Sequence, residues 1–212
     1  GFVNGFVLFQ DAVLIASRRS GILSYKNGIE SKISDYPATA ICLSKTEPNR
    51  LFIGTDIGLY SLRWEDGKWK DEGKIQGIEH EVRHLQAFPN GDLWASFTKV
   101  SRIQFEHGFT NPIVTTFDST NGFVSDHLEF DLSEHDGKIL FGSNRGIFHF
   151  DERQQKLVPE TLFGQRFADQ GHGARHLTQD LLGQIWLYDG TRTGFLRKDQ
   201  NGKWQWNDLP LR

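Results

Sequence analysis

The chain has 212 residues, a net charge of −3, 17 Phe, 6 Trp, 22 Gly, one Cys and no Met. The mild acidity argues against nucleic acid as a partner, because phosphate binding needs a basic face, and no apolar run approaches the length of a membrane span. The lone Cys42 sits in an apolar strand, forms no internal disulfide and reads as a small buried hydrophobe.

A five-residue signature recurs along the chain. Its copies are Val13-Leu14-Ile15-Ala16-Ser17, Leu51-Phe52-Ile53-Gly54-Thr55, Leu93-Trp94-Ala95-Ser96-Phe97, Ile139-Leu140-Phe141-Gly142-Ser143 and Ile185-Trp186-Leu187-Tyr188-Asp189. Their second residues are 38, 42, 46 and 46 positions apart. Such a period marks one supersecondary unit used repeatedly. The approximate units are residues 1–36, 37–78, 79–121, 122–168 and 169–212, within one domain that shows no linker or low-complexity stretch.

The first unit predicts strands over 6–9, 13–17, 22–25 and 30–33. In the second, residues 38–43 form the first strand and Pro48-Asn49 helps turn it into the signature strand. Asp56-Ile57-Gly58 turns into residues 59–64, and Asp66-Gly67 makes a hairpin into a polar strand from Lys68. The same grammar returns with Pro89-Asn90-Gly91-Asp92 before the third signature and His135-Asp136-Gly137-Lys138 before the fourth. In the fifth unit, Asp180 to Gln184 precede the signature and Asn201-Gly202 separates the last two strands. No window sustains a 3.6-residue apolar period, so no long helix is expected. Short strands near ten-residue spacing, with one aromatic signature per unit, predict an all-β fold, a β-propeller of four-stranded antiparallel blades. One such blade cannot bury both faces alone, so stacked blades are the stable arrangement. Five blades either close a ring or belong to a larger one. The missing Met points to a processed product or an excised segment.

Two stretches carry a family resemblance: Asp180-x-x-Gly183-x-Ile185-Trp186, and Phe52-Ile53-Gly54-Thr55-x-x-Gly58-Leu59-Tyr60. Both resemble the repeats of two-component regulator propellers, and residues 117–127 resemble the inter-blade connector of that family. The resemblance spans essentially the whole chain. It implies a sensor module of a hybrid histidine kinase or related membrane regulator, facing the periplasm and recognising glycans or their breakdown products. It also implies a seven-bladed ring of which these blades are part. The third and fifth copies depart from the pattern, with Ala95-Ser96-Phe97 and Tyr188-Asp189 at the end of the signature.

In a propeller the first strand of each blade lines the central channel. Aligning the strand entries gives Val82-Arg83-His84-Leu85, Ser125-Asp126-His127-Leu128 and Ala174-Arg175-His176-Leu177, with Gly5-Phe6 and Thr39-Ala40 in the first two units. The His column suits either a structural bond to a neighbouring blade or a ligand. The charged column varies in sign, which architecture alone does not require. Arg83, His84, Asp126, His127, Arg175 and His176 are therefore the candidate ligand-binding residues, and two arginines at one channel suit a carboxylate or sulfate.

The expected function is a non-catalytic sensor that binds a saccharide or other small polar ligand. No cofactor, metal or catalytic residue is assigned. The expected partners are that ligand, the remaining blades or neighbouring domains of a longer protein, and a second copy in a homodimer. A propeller glycosidase or lyase is the competing class, and a protein-interaction scaffold is a third.

Overall fold

A strand that is apolar at every position must bury both faces. In the second sheet the signature does so by lying between two other sheets. The computed structural model describes residues 3–106, 109, 111–117 and 129–209. Among these, twenty strands form five antiparallel sheets of four, each a meander in chain order. The first is β1 (Gly5–Phe9), β2 (Ala12–Ser17), β3 (Gly21–Lys26) and β4 (Ile29–Ser34). The second is β5 (Ala40–Leu43), β6 (Arg50–Thr55), β7 (Gly58–Glu65) and β8 (Lys68–Ile75). The third is β9 (His84–Ala87), β10 (Leu93–Ser96), β11 (Val100–Gln104) and β12 (Ile113–Phe117). The fourth is β13 (Asp131–His135), β14 (Lys138–Ser143), β15 (Gly146–Asp151) and β16 (Lys156–Pro159). A one-turn helix, α1 (Gln165–Ala168), precedes the fifth: β17 (Arg175–Gln179), β18 (Ile185–Tyr188), β19 (Thr193–Lys198) and β20 (Trp204–Asp208). The chain forms two compact units, Gly1–Thr116 and Phe117–Arg212.

Hairpin chemistry follows the sequence. Asp66-Gly67 and Asp136-Gly137 both take positive φ at each residue, at 54° and 77° and at 49° and 75°. That is the mirror-image turn whose twist matches the flanking strands.

Blade packing follows from the two-residue period of a strand. The second signature residue points to the following blade, and the first and third point to the preceding one. Within the compact unit Gly1–Thr116, Leu14 packs with Leu51 and Ile53, and Phe52 packs with Leu93 and Ala95. Within the compact unit Phe117–Arg212, Leu140 packs with Ile185 and Leu187. Each such side chain contributes about 1.5–3 kcal/mol when fully buried.

The fourth signature residue decides how closely blades approach. A Cβ on Gly54 would lie 2.7 Å from the Val82 carbonyl oxygen, and one on Gly142 would lie 2.3 Å from that of Ala174. These glycines make room for the next blade's entry. The entry is then fastened by a backbone bond to the fifth signature residue: Ala38 N to Ser17 O (3.3 Å), Val82 N to Thr55 O (2.9 Å) and Ala174 N to Ser143 O (2.6 Å). The fifth residue also shapes its own turn, since Thr55 Oγ1 and Ser143 Oγ each donate to the carbonyl of Gly58 or Gly146, at 3.0 and 3.3 Å.

These bonds correct the alignment of the first unit. Asn4 N bonds Ala16 O, as Thr39 N bonds Gly54 O and Arg83 N bonds Ser96 O. The first-unit equivalents of Arg83-His84 are therefore Asn4-Gly5, one residue before the expected Gly5-Phe6. Nothing in the local sequence marks that register, because neither residue is charged.

Candidate functional site

The strand entries carry the residues singled out in the sequence. Arg83 precedes β9 and His84 opens it, paired across the strands with Ser96. The Arg83 guanidinium lies 3.8 Å over the Phe97 ring and its Nε donates to Glu81 Oε1 at 2.7 Å. Glu81 also accepts from Arg18 at 3.0 Å, and Arg18 in turn pairs with Asp56. The hydrogen bond from Arg18 holds the Asp56 carboxyl below its usual range. Turns far apart in sequence thus meet in one alternating chain of charges at the strand-entry end of the first unit.

Arg175 is more enclosed. Its Nε donates to Asp131 Oδ2 and an Nη to Glu129 Oε2, both at 2.9 Å. Burial favours the neutral form of Arg175, but the two carboxylates outweigh it and keep the guanidinium charged. His176 does not mirror His84. The β17–β18 register shifts here, His176 takes φ 59° and lies exposed, and its backbone N–H donates to Asp131 Oδ2 at 2.6 Å. The alignment missed this bulge because the residue count between Ala174 and Leu177 is unchanged. Asp126 and His127 lie outside the described residues. Arg83 and Arg175 belong to different compact units.

The two irregular signatures have local explanations. Phe97 replaces the usual Ser/Thr and supplies the ring beneath Arg83. Asp189 replaces it in the last blade and makes the same kind of turn: Oδ1 accepts from Thr191 N, Thr191 Oγ1 and Arg192 N, and Oδ2 accepts from Arg166 at 2.8 Å. Burial opposes ionisation of Asp189, yet these bonds win and hold its carboxyl well below the usual range. Asp180 likewise closes the β17–β18 turn and accepts the Trp186 indole N–H at 2.8 Å, so that motif is structural.

At the other end of the strands the compact unit Gly1–Thr116 carries a cleft of about 530 Å³ between the second and third sheets. The β5–β6 turn, the β9–β10 turn and the end of β11 form it. Asn90, Asp92, Arg102, Gln104 and Phe105 line it, together with Glu47 and Glu106. The Asp92 carboxylate is buried and accepts from Arg102 Nε at 2.7 Å and Asn90 Nδ2 at 3.1 Å. Phe105 stacks on Phe52 of the core, with centroids 5.5 Å apart and planes 7° apart. Behind it, buried Arg50 is clamped by both oxygens of Glu72 at 2.7 Å and covers the Phe109 ring at 3.1 Å. The wall is therefore fixed before any ligand arrives. Among the described lining residues Arg102 is the one cation beside Glu47, Asp92 and Glu106, and Arg50 behind the wall also pairs with Glu47 at 2.6 Å. The lining suits a ligand with several hydroxyls, neutral or amine-bearing, and disfavours an anion. Sequence reasoning passed over this cleft because turns from different repeats build it. The available signal was a charged residue, Asp92, directly before the apolar Leu93-Trp94, with Arg102 inside the strand that follows.

No protein-family model and no curated protein matches the chain. Solved structures do. The chain is similar to crystal structures described as extracellular domains of the hybrid two component systems BT3049 and BT4673 from B. thetaiotaomicron. The first match has a TM-score of 0.72 and 14% identity over 99% of this chain and 29% of that one. The second has a TM-score of 0.70 and 15% identity over 98% of this chain and 28% of that one. It is also similar to virginiamycin B lyase from Staphylococcus aureus, with a TM-score of 0.66 and 13% identity over 98% of this chain and 70% of that one. The chain thus spans under a third of the two extracellular domains. At these identities the likeness concerns the fold: the chain is an all-β protein of five four-stranded propeller blades.

Proposed function

We propose that the chain is part of an extracytoplasmic sensor propeller of a two-component signalling protein, and that its cleft binds a small saccharide without chemistry. The observation that carries this reading is the cleft between the β5–β6 and β9–β10 turns. There planar amide, carboxylate and guanidinium groups stand beside the packed rings of Phe105 and Phe109, whose centroids lie 4.3 Å apart. Such groups match paired hydroxyls, and the apolar ring carbons match the C–H groups of a sugar. The likeness to extracellular two-component domains supports the placement outside the cytoplasm. The strand-entry arginines are held by carboxylates of their own units, which favours the cleft as the ligand seat.

A thermal-shift screen against neutral, amino and uronic oligosaccharides tests the reading. A ligand at about 100 times its Kd adds roughly 2.7 kcal/mol, which raises Tm by about 5–10 °C for a chain of this size. Gln104→Ala is expected to remove the shift while leaving the unliganded Tm unchanged. Absence of a shift with every sugar, together with turnover of a glycoside or lactone, would favour the propeller lyase or hydrolase instead.

A further inference from the structure

Resting on the saccharide reading of the cleft, we infer that its ligand is an amino sugar and that Glu106 is the residue that selects the amine. The carboxylates around the cleft differ in what already holds them. Asp92 is buried, and one of its oxygens takes both Nε and an Nη of Arg102, at 2.7 and 2.6 Å. Glu47 pairs with Arg50 at 2.6 Å through one oxygen and with Arg63 at 3.8 Å through the other. Glu72, behind the wall, holds Arg50 with both oxygens at 2.7 Å. Three arginines thus offset these three carboxylates. Glu106 lines the cleft, is exposed, and has no cation partner among the described residues. It leaves one negative charge of the cleft without a counterion.

Its position gives that charge a use. Arg102 and Gln104 share one face of β11, because alternate residues of a strand point the same way. Same-face positions are about 6.6–6.8 Å apart. Glu106 comes two residues later, just past the strand end, and all three line the cleft. The row runs from a guanidinium engaged by Asp92, through the amide of Gln104, to the carboxylate of Glu106. The amide both donates and accepts, so it serves a hydroxyl in either sense. The carboxylate only accepts, and an ammonium gives it a charge-assisted bond that a hydroxyl does not. A uronic or sulfated sugar would set a second negative charge beside Glu106. An amino sugar fits the row, with its ammonium on Glu106 and its neighbouring hydroxyls on Gln104.

NMR titration of the chain with matched sugars tests this. Glucosamine is compared with glucose, galactosamine with galactose and mannosamine with mannose, each pair differing by an ammonium in place of one hydroxyl. In at least one pair the amine should bind on the order of fivefold more tightly, the difference between a charged and a neutral hydrogen bond. The ratio should fall towards one as salt rises, because exposed charges are screened. It should be near one at every salt concentration in Glu106→Gln, which keeps the side-chain shape. Ethanolamine, an ammonium without the sugar ring, should bind more weakly than the preferred amino sugar. Equal affinities within every pair would refute the amine and leave the saccharide reading standing. A preference that survives Glu106→Gln would refute the role of Glu106. No binding by any sugar, or ethanolamine binding as tightly as the amino sugars, would overturn the saccharide reading as well.

Discussion

Gly142→Ala is the sharpest test of how these blades meet. The added Cβ would lie 1.9 Å from Leu177 Cδ1 and 2.3 Å from the Ala174 carbonyl oxygen. The leucine methyl can turn aside. The carbonyl cannot move without shifting the strand entry, whose Ala174 N–H is bonded to Ser143 O. Overpacking of this kind costs about 1–3 kcal/mol. Weakening the entry bond adds about 1 kcal/mol, and the stiffer unfolded chain returns about 0.4–1 kcal/mol. The expected net loss is about 2–3 kcal/mol, or a fall in Tm of roughly 5–10 °C at 2–4 °C per kcal/mol. Gly54→Ala meets its carbonyl at 2.7 Å and should lose less, about 1–2 kcal/mol. Thermal and urea unfolding followed by tryptophan fluorescence measure both variants. A Gly142→Ala protein as stable as the parent, or more so, would mean that close approach of the blades is not what this glycine serves. Equal losses at the two positions would contradict the ranking by distance.

The remaining predictions concern charge. The carboxyl of Asp189 titrates below its unfolded value, so its stabilisation is complete above about pH 4 and is lost as pH falls towards the folded value. Urea midpoints should therefore drop on acidification below pH 4, and Asp189→Asn should flatten that part of the profile. Arg175→Ala removes the cation beside the buried Asp131, which keeps the His176 N–H, and should cost about 2–4 kcal/mol, whereas half-exposed Arg83→Ala should cost about 1 kcal/mol or less. Equal costs in urea melts would contradict the burial argument. Arg50→Ala removes the partner of Glu72 and the cover of Phe109, and a loss below about 1 kcal/mol would show that the clamp is not needed.

The strands were legible because each signature is apolar on both faces and bounded by turn residues, and that pattern has few physical solutions. The turn chemistry at Asp66-Gly67 was legible for the same local reason. What the sequence concealed depends on contacts between repeats. Arg18 meets Asp56 across 38 positions, and Arg175 meets Asp131 across 44. The left-handed backbone at His176 leaves no trace in residue type or count. The irregular Phe97 and Asp189 were visible as departures, but only the structure supplies their reasons, a seat for Arg83 and a buried acceptor for Arg166.

The bond from each strand entry to the fifth signature residue of the preceding blade has a consequence for how such chains change over time. It fixes where one repeat hands over to the next. A duplication or deletion cut at this point adds or removes a complete sheet, with its forward and backward faces still matched to both neighbours. A cut elsewhere in the repeat would split a sheet and leave a hybrid whose strands come from two different repeats. The lineage of the protein is therefore expected to vary by whole blades, with the joins falling near positions such as Ala38, Val82 and Ala174.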